Sequence, residues 1–180
     1  MDKAHEAQAS DVLIRSAEPS DAAAISALLG QVGTFEGTLQ LPDMSVASRL
    51  DFLQRIDSQS CKLVAVADDQ VVGMAGLHLQ QPSLRRSHVR GLAIGIAPQW
   101  QGRGLGRQLM TRLLDWADNW AGVLRIELMV HADNERASTL YRSLGFVEEG
   151  IHKAYALKNG RYVDSLSMAR LHPNPPGLAG

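Results

Sequence analysis

Three glycines within five residues, Gly102, Gly104 and Gly106, lie between a predicted strand and a predicted helix. Glycine has no Cβ, so backbone N–H groups at such positions can approach a ligand closely. The first turn of a helix also offers N–H groups without intrahelical partners and the positive end of the helix dipole. Together these features are typical of a pyrophosphate-binding loop. Arg103 and Arg107 would add positive charge at its rim.

Three known loop patterns compete for this segment. A Walker P-loop requires Gly-Lys-Ser/Thr, and the loop contains no lysine. The Rossmann pattern G-x-G-x-x-G would place its last glycine at Arg107 or Leu109, so it fails too. The third pattern, Gln/Arg-x-x-Gly-x-Gly/Ala, is met by Gln101, Gly104 and Gly106. An isolated match of this length fits a simple glycine-rich turn equally well, so the surrounding sequence has to decide.

A second segment, from Asn134 to Phe146, contains Asn-x-x-Ala-x-x-x-Tyr followed by Gly-Phe. The two segments together resemble the signatures of the GNAT N-acetyltransferase superfamily, and the resemblance covers about Val12 to Arg170. It implies the GNAT fold, an α/β fold with a single mixed, mostly antiparallel sheet, a central splayed parallel strand pair and about four flanking helices. It also implies an enzyme that uses acetyl-CoA as cosubstrate and transfers the acetyl group to a primary amine by direct attack in a ternary complex.

The resemblance also implies which residues bind the cofactor. They are Ile94, Gly95, Ile96, Gln101, Gly102, Arg103, Gly104, Leu105, Gly106, Arg107, Asn134, Ala137 and Tyr141. The backbone of the strand before the loop would bind the pantetheine and the acyl carbonyl, and an N–H aimed at the thioester oxygen would stabilise the tetrahedral intermediate. Ala137 and Tyr141 share a helical face. In the family the equivalent tyrosine protonates the departing thiolate, and an aromatic that only packs the helix is the alternative.

The sequence does not identify a single residue as the base that accepts the amine proton. A peptide-like α-amine has a pKa of ~8, so roughly a tenth of it is neutral at pH 7, and it needs little help. The candidate bases are Glu36, His78, His88 and Glu127, acting directly or through a water. Each has a structural alternative: a solvated loop acid for Glu36, ordinary strand or surface histidines, and a strand acid paired with an arginine for Glu127.

The charge is unevenly distributed along the chain. The net charge of −1 argues against a nucleic-acid-binding protein, which would need a basic surplus. No acid occurs between Asp69 and Asp115, however, and this stretch contains six arginines. It is therefore locally +6. Arg85, Arg86 or Arg90 is predicted to hold a substrate carboxylate, with solvated surface charge as the alternative.

Further segments resemble a bacterial branch that acetylates free L-amino acids and related small amines. These segments are 38–42, 85–88, 118–120, 153–164 and 168–170. Similar proteins carry an acid just after the pair His88–Val89, whereas this chain has Arg90-Gly91, which puts a carboxylate base on this strand in doubt. The alternative functions are a protein N-terminal, polyamine or drug acetyltransferase, and a non-catalytic acyl-CoA-binding regulatory module. The arginine cluster disfavours polyamines.

Elements that could position these residues follow from hydrophobic periodicity and turn signals. The predicted strands are 12–15, 62–67, 71–80, 89–97, 124–130, 146–152 and 162–168. The predicted helices are 20–30, 46–56, 104–120 and 134–145. The order is β-α-α-β-β-β-α-β-α-β-β, and a helix between consecutive strands favours local parallel pairing.

Length and composition predict one domain with flexible tails at 1–10 and 171–180, and the resemblance implies that residues 11–170 form an N-acetyltransferase domain. The polar start does not resemble a signal peptide, and no apolar stretch is long enough to span a bilayer. We therefore expect a cytoplasmic protein that does not contact membranes. A single cysteine, Cys61, excludes an internal disulfide, and no spacing of ligand residues suggests a metal. The resemblance alone suggests a homodimer.

Overall fold

The computed structural model describes residues 11–54, 58–80 and 83–177. Its strands are β1 (Leu13–Ser16), β2 (Cys61–Ala67), β3 (Gln70–His78), β4 (Val89–Ile96), β5 (Arg125–His131), β6 (Val147–Lys158) and β7 (Arg161–Leu171). Its helices are α1 (Ala22–Leu29), α2 (Val46–Gln54), α3 (Leu105–Asn119) and α4 (Glu135–Ser143). The predicted order of elements is confirmed, as is the predicted fold class.

All seven strands form one sheet in the order β1-β2-β3-β4-β5-β7-β6. Every neighbouring pair is antiparallel except β4 and β5, which are parallel. α3 is the crossover between these two strands. The predicted central parallel pair is therefore present, and it joins two antiparallel halves of the sheet.

Helices cover both faces of the sheet because successive strand residues point to opposite faces. On β2, Leu63 and Ala65 belong to the large core cluster that includes Leu109 and Leu113 of α3. Val64, between them, packs with Ile25 of α1 on the other side. Leu53 of α2 packs against this second cluster, so α1 and α2 share one face and α3 lies on the opposite one.

The C-terminal hairpin is longer than the pattern predicts. β6 continues to Lys158 instead of ending near His152, and its side chains are mostly exposed, so no alternation of apolar residues marks it. The turn to β7 is Asn159-Gly160, and both residues have positive φ. Asn-Gly between two strands is a strong hairpin signal, so the turn itself could have predicted the extension.

The predicted C-terminal boundary also moves. Leu171 belongs to β7, and the backbone N–H of His172 donates to the carbonyl of Leu124 at 2.8 Å. The sheet therefore holds the first two residues of the segment predicted as a flexible tail. Residues 1–10 and 178–180 lie outside the described part of the chain. None of the helices described is both long enough and apolar enough to cross a bilayer. The homodimer and the cytoplasmic location stay predictions.

Candidate active site

The central cleft arises because β4 and β5 pair over only three positions. Val89, Arg90 and Gly91 are in register with Arg125, Ile126 and Glu127, and no pairing follows. Beyond this point β3 holds β4 and β7 holds β5, so the two strands diverge. A cavity of about 750 Å³ opens between them, lined by residues 92–96 of β4 and 128–131 of β5.

The free edge of β4 presents backbone groups to this cavity. The N–H of Ala97 donates to Val72 of β3 at 2.9 Å. Because backbone groups alternate in direction along a strand, those of Ile94 and Ile96 point the other way, toward the cavity. The carbonyl of Ile96 accepts hydrogen bonds from Gln101 Nε2 at 2.8 Å and Thr34 Oγ1 at 3.2 Å. Ile94 is therefore the position whose backbone N–H and carbonyl best face a bound chain.

Gly95 has a different role from its neighbours. The same alternation turns its backbone toward β3, in register with Met74. A Cβ at Gly95 would lie 2.9 Å from Leu29 Cδ2 and 3.4 Å from Thr34 Cγ2. Glycine at this position therefore allows α1 and the segment that follows it to pack closely on β4. Its predicted role as a backbone ligand is not what the geometry favours.

The glycine loop has the backbone conformation that its sequence suggests. Gly102 and Gly104 have φ values of +74° and +81°, in the left-handed region that favours glycine. A Cβ at either residue would meet open space. Gly104 is the N-cap of α3, so the free N–H groups of the first helical turn lie at the mouth of the cavity. A Cβ at Gly106 would approach Leu140 Cδ2 to 3.0 Å, so this glycine brings α3 close to α4.

The other loop residues have individual partners. Leu105 is buried in the core, and the Arg103 guanidinium lies over the Trp100 ring, 5.5 Å from its centroid. Arg107 lines the cavity and donates to Ser143 Oγ at 2.8 Å. Gln101 ties the loop to its surroundings, because it donates to Ile96 and accepts from Arg136. Arg136, which the sequence did not single out, brings a further cation to the cavity.

The second motif forms α4 at the opposite wall. Asn134 caps this helix, since its Oδ1 accepts from the Ala137 N–H at 3.2 Å. Ala137 and Tyr141 line the cavity one turn apart. Tyr141 is buried against Phe146, with ring centroids 5.8 Å apart, and burial raises the pKa of Tyr141 to about 12. No hydrogen-bond partner for its hydroxyl lies within the described ranges, so a cavity ligand can receive its proton.

Among the candidate bases, only His78 lines the large cavity. It lies at the end of β3 opposite Gly91. A Cβ at Gly91 would lie 3.0 Å from His78 Nε2 and 2.6 Å from Gln80 Cγ, so the missing side chain makes room for both residues. Burial, and to a smaller extent Lys62, lowers the pKa of His78 below its usual value. At neutral pH the imidazole is then uncharged and able to accept a proton.

The other three candidates have different surroundings. Glu127 accepts from Arg86 at 2.8 Å and from Arg125 at 2.7 Å, as the structural alternative supposes. His88 is exposed and lies outside the cavity lining. Glu36 accepts from Asn159 Nδ2 at 2.8 Å and lines a smaller neighbouring cavity of about 180 Å³. The geometry therefore favours His78 over these residues.

The arginines predicted to hold a substrate carboxylate do not reach the cavity. Arg86 pairs with Glu127, and Arg85 is exposed on a 3₁₀ turn outside the lining. Arg90 is buried and donates to the carbonyls of Gln59 and Ser87, each at 2.7 Å, and of Val89 at 2.8 Å. Backbone acceptors thus occupy the guanidinium of Arg90. The geometry argues against a substrate role for all three.

A different arginine, Arg49 of α2, lines the cavity instead. It is only 9% exposed, and burial lowers the pKa of Arg49, although a guanidinium stays charged at any physiological pH. Arg49 and Leu53 are four residues apart and lie on the same face of α2. A cation on the face of a helix that otherwise packs against the core is the signal that could have identified it. Within the described ranges, no cluster of three or more His, Cys, Asp or Glu residues could hold a metal.

The comparisons with known proteins agree with this geometry. The model of the acetyltransferase (GNAT) family matches residues 33–146. The L-amino acid N-acetyltransferase AaaT of Escherichia coli is 40% identical over 90% of this chain and 99% of its own. The chain belongs to the GNAT family, and it is an N-acetyltransferase.

Two solved structures extend the comparison. A GNAT-family acetyltransferase from Streptococcus pneumoniae superposes with a TM-score of 0.79 at 28% identity, covering 89% of this chain and 99% of its own. Spermidine N-acetyltransferase from Vibrio cholerae, in complex with CoA and spermine, gives a TM-score of 0.76 at 28% identity and covers 89% and 95%. CoA is therefore a ligand of a protein with the same fold.

The role of Gly104 in phosphate binding can be tested with a matched pair of substitutions. Gly104→Ala and Gly160→Ala each place a Cβ at positive φ in open space, so each should cost roughly 1–2 kcal/mol of stability. Only Gly104 lies in the loop, where a Cβ would obstruct a phosphate. We expect the Kd for CoA, measured by calorimetry, to rise about tenfold or more in Gly104→Ala only, equivalent to about 1.4 kcal/mol of binding. Equal affinities in the two variants would contradict a phosphate site here.

Proposed function

We propose that this enzyme transfers the acetyl group of acetyl-CoA to the α-amine of a free L-amino acid. The charge of the cavity is the observation that most directly supports an acceptor carrying a carboxylate. Arg107 and Arg136 lie at the glycine loop, Arg49 of α2 brings a further cation to the lining, and no Asp or Glu occurs among the described lining residues. The similarity to an L-amino acid acetyltransferase over nearly the whole chain supports the same conclusion.

Acetyl-CoA would lie along the cleft from the loop to Tyr141. Its pyrophosphate would accept from the backbone N–H groups of the glycine loop, with Arg107 and Arg136 near its charge. The pantetheine amides would pair with the free edge of β4 at Ile94, as a short extra strand. An N–H of this edge would also donate to the thioester oxygen, which gains negative charge as the amine attacks.

The reaction needs one proton removed and one supplied. The amine nitrogen attacks the thioester carbon while His78, directly or through a water, accepts the proton that the nitrogen loses. The tetrahedral intermediate then collapses, the C–S bond breaks, and Tyr141 donates its proton to the sulfur. Burial raises the pKa of the CoA thiol as it raises that of the Tyr141 phenol. Proton transfer from the phenol to the thiolate is therefore less unfavourable than the phenol pKa alone would suggest. The products are the N-acetyl amino acid and CoA.

A polyamine acceptor is the main rival, because spermidine acetyltransferases share the fold. Polyamines are polycations, and their recognition requires acidic groups in the cleft. Arg49, the cation that the described lining supplies apart from the glycine loop and its partner Arg136, would repel them. A peptide N-terminus resembles a free amino acid at its amine but lacks the adjacent carboxylate, so it would leave a cation of the cavity without a partner.

The substrate class is tested by release of the CoA thiol from acetyl-CoA in the presence of different amines. The panel contains the standard L-amino acids, dipeptides, spermidine and an aminoglycoside. We expect at least one L-amino acid to exceed every other class in kcat/KM by about tenfold or more, equivalent to 1.4 kcal/mol of transition-state binding. A preference for spermidine or for dipeptides would contradict the proposal.

The base is tested by comparing wild type with His78→Gln across the pH range. At pH 7.5 the wild type should be faster by roughly 10²-fold, the lower end of what a general base supplies. The ratio of the two rates should fall toward one as the pH drops below about 6.5, because a protonated imidazole cannot accept a proton. The ratio cancels the ionisation of the amine itself. His88→Gln, at an exposed histidine, is the control, and a ratio for His78→Gln that does not vary with pH would exclude the base role.

The acid is tested by Tyr141→Phe, with Tyr155→Phe as the control at a second tyrosine of the cavity lining. Loss of the Tyr141 hydroxyl should lower kcat by about tenfold or more while the Kd for CoA changes little, because the proton is needed only as the C–S bond breaks. Tyr155→Phe should stay within about twofold of wild type. The reverse pattern would move the acid to Tyr155.

A further inference from the structure

Arg49 is a buried cation that no carboxylate of the described residues neutralises. It lies on α2, and a guanidinium nitrogen of Arg49 contacts Met44 Sδ at 3.5 Å. Its Nε is buried and has no hydrogen-bond partner. Within the described ranges, no carboxylate pairs with Arg49. A buried ion is unfavourable unless it is paired and hydrogen-bonded, so this position is satisfied only when an anion enters the cavity.

The other buried arginines show how this fold normally treats such a charge. Arg170 makes a two-point ion pair with Asp118, at 2.9 and 2.7 Å. Arg90 donates to three backbone carbonyls. Arg49 differs from both because it lines the large cavity and has no oxygen acceptor among the described residues. A guanidinium with free donors matches the two oxygens of a carboxylate.

The position of Arg49 lies on the acceptor side of the cavity. The carbonyl of Phe52, on the last turn of the same helix, accepts from Lys62 Nζ of β2 at 2.7 Å, and this bond fixes α2 over the sheet. Phe52, Met74 and His78 line the cavity together with Arg49. The glycine loop, by contrast, is built on α3 and the far end of β4. An anion held by Arg49 is therefore distinct from the pyrophosphate.

We propose that Arg49 binds the α-carboxylate of the acceptor amino acid and so directs its amine toward the thioester. The inference rests on the proposed function, since it names the residue that would distinguish an amino acid from a simple amine. The α-amine is one carbon from the carboxylate, so a two-point contact at Arg49 restricts where the nitrogen can lie. Phe52 and Met74 would then contact an apolar side chain of the substrate.

The test compares L-leucine with 3-methylbutylamine, which differs from it only by the missing carboxylate. Arg49→Met keeps an unbranched stem of similar length up to the Nε position and removes the charged guanidinium. We expect kcat/KM for L-leucine to fall by about 10²-fold, chiefly through KM, and that for 3-methylbutylamine to change by less than about threefold. Arg49→Lys should recover part of the loss, because an ammonium supplies charge without the planar fork. Arg85→Met, at an exposed arginine, should leave both substrates unchanged.

Thermal unfolding separates a substrate role from a structural one. Removing an unpaired buried charge should leave the melting temperature of Arg49→Met equal to that of wild type or raise it. A lower melting temperature together with equal losses on both substrates would overturn the assignment. Calorimetric binding of L-leucine to the CoA complex measures Arg49 apart from turnover. Binding that depends on Arg49 without acetylation would overturn the proposed function and leave the assignment of Arg49 standing.

Discussion

The divergence of β4 and β5 is the constraint on which the rest of this structure depends. A sheet normally pairs its backbone groups from edge to edge, and a buried N–H or carbonyl without a partner is unfavourable. Here the pairing stops after Gly91, although each strand keeps its outer neighbour. The backbone of Ile94 is left facing a cavity in the middle of the sheet. A ligand with amide groups of its own, such as pantetheine, can complete this gap in the sheet.

The parts around the gap are joined to one another by Ile96. Its carbonyl accepts from Gln101 of the glycine loop and from Thr34 of the segment between α1 and α2. Gln101 in turn accepts from Arg136 of α4. Gly95 lets α1 approach β4 closely enough for Thr34 to reach this carbonyl. The end of β4, the glycine loop, α4 and the segment after α1 are therefore held together by one small network at the phosphate end of the cavity.

Elements were predictable from the sequence where burial leaves a periodic pattern. The amphipathic face of α3 and the apolar strands around it fix the order of elements and the place of the parallel pair. β6 departs from this rule, because it is largely exposed and residues 156–158 are held by pairing with β7 rather than by a core. Only the Asn159-Gly160 turn marks the hairpin in the sequence. Burial controls the pattern, so a strand without burial is hard to recognise.

The same distinction governs the site. The glycine loop and the α4 motif are local, and their residues meet the cavity largely as the motifs suggest. The partner of a charged residue, by contrast, cannot be read from its position in the sequence. Arg86 pairs with Glu127 on a different strand, and Arg90 donates to the carbonyl of Gln59. Among the described residues, the arginine-rich stretch therefore supplies no free cation to the acceptor side. Arg49 lies outside that stretch and has no oxygen acceptor among the described residues. Counting arginines along the sequence shows where positive charge is concentrated. Binding an anion, however, requires a cation that has no partner within the folded protein, and the count does not reveal which arginine that is.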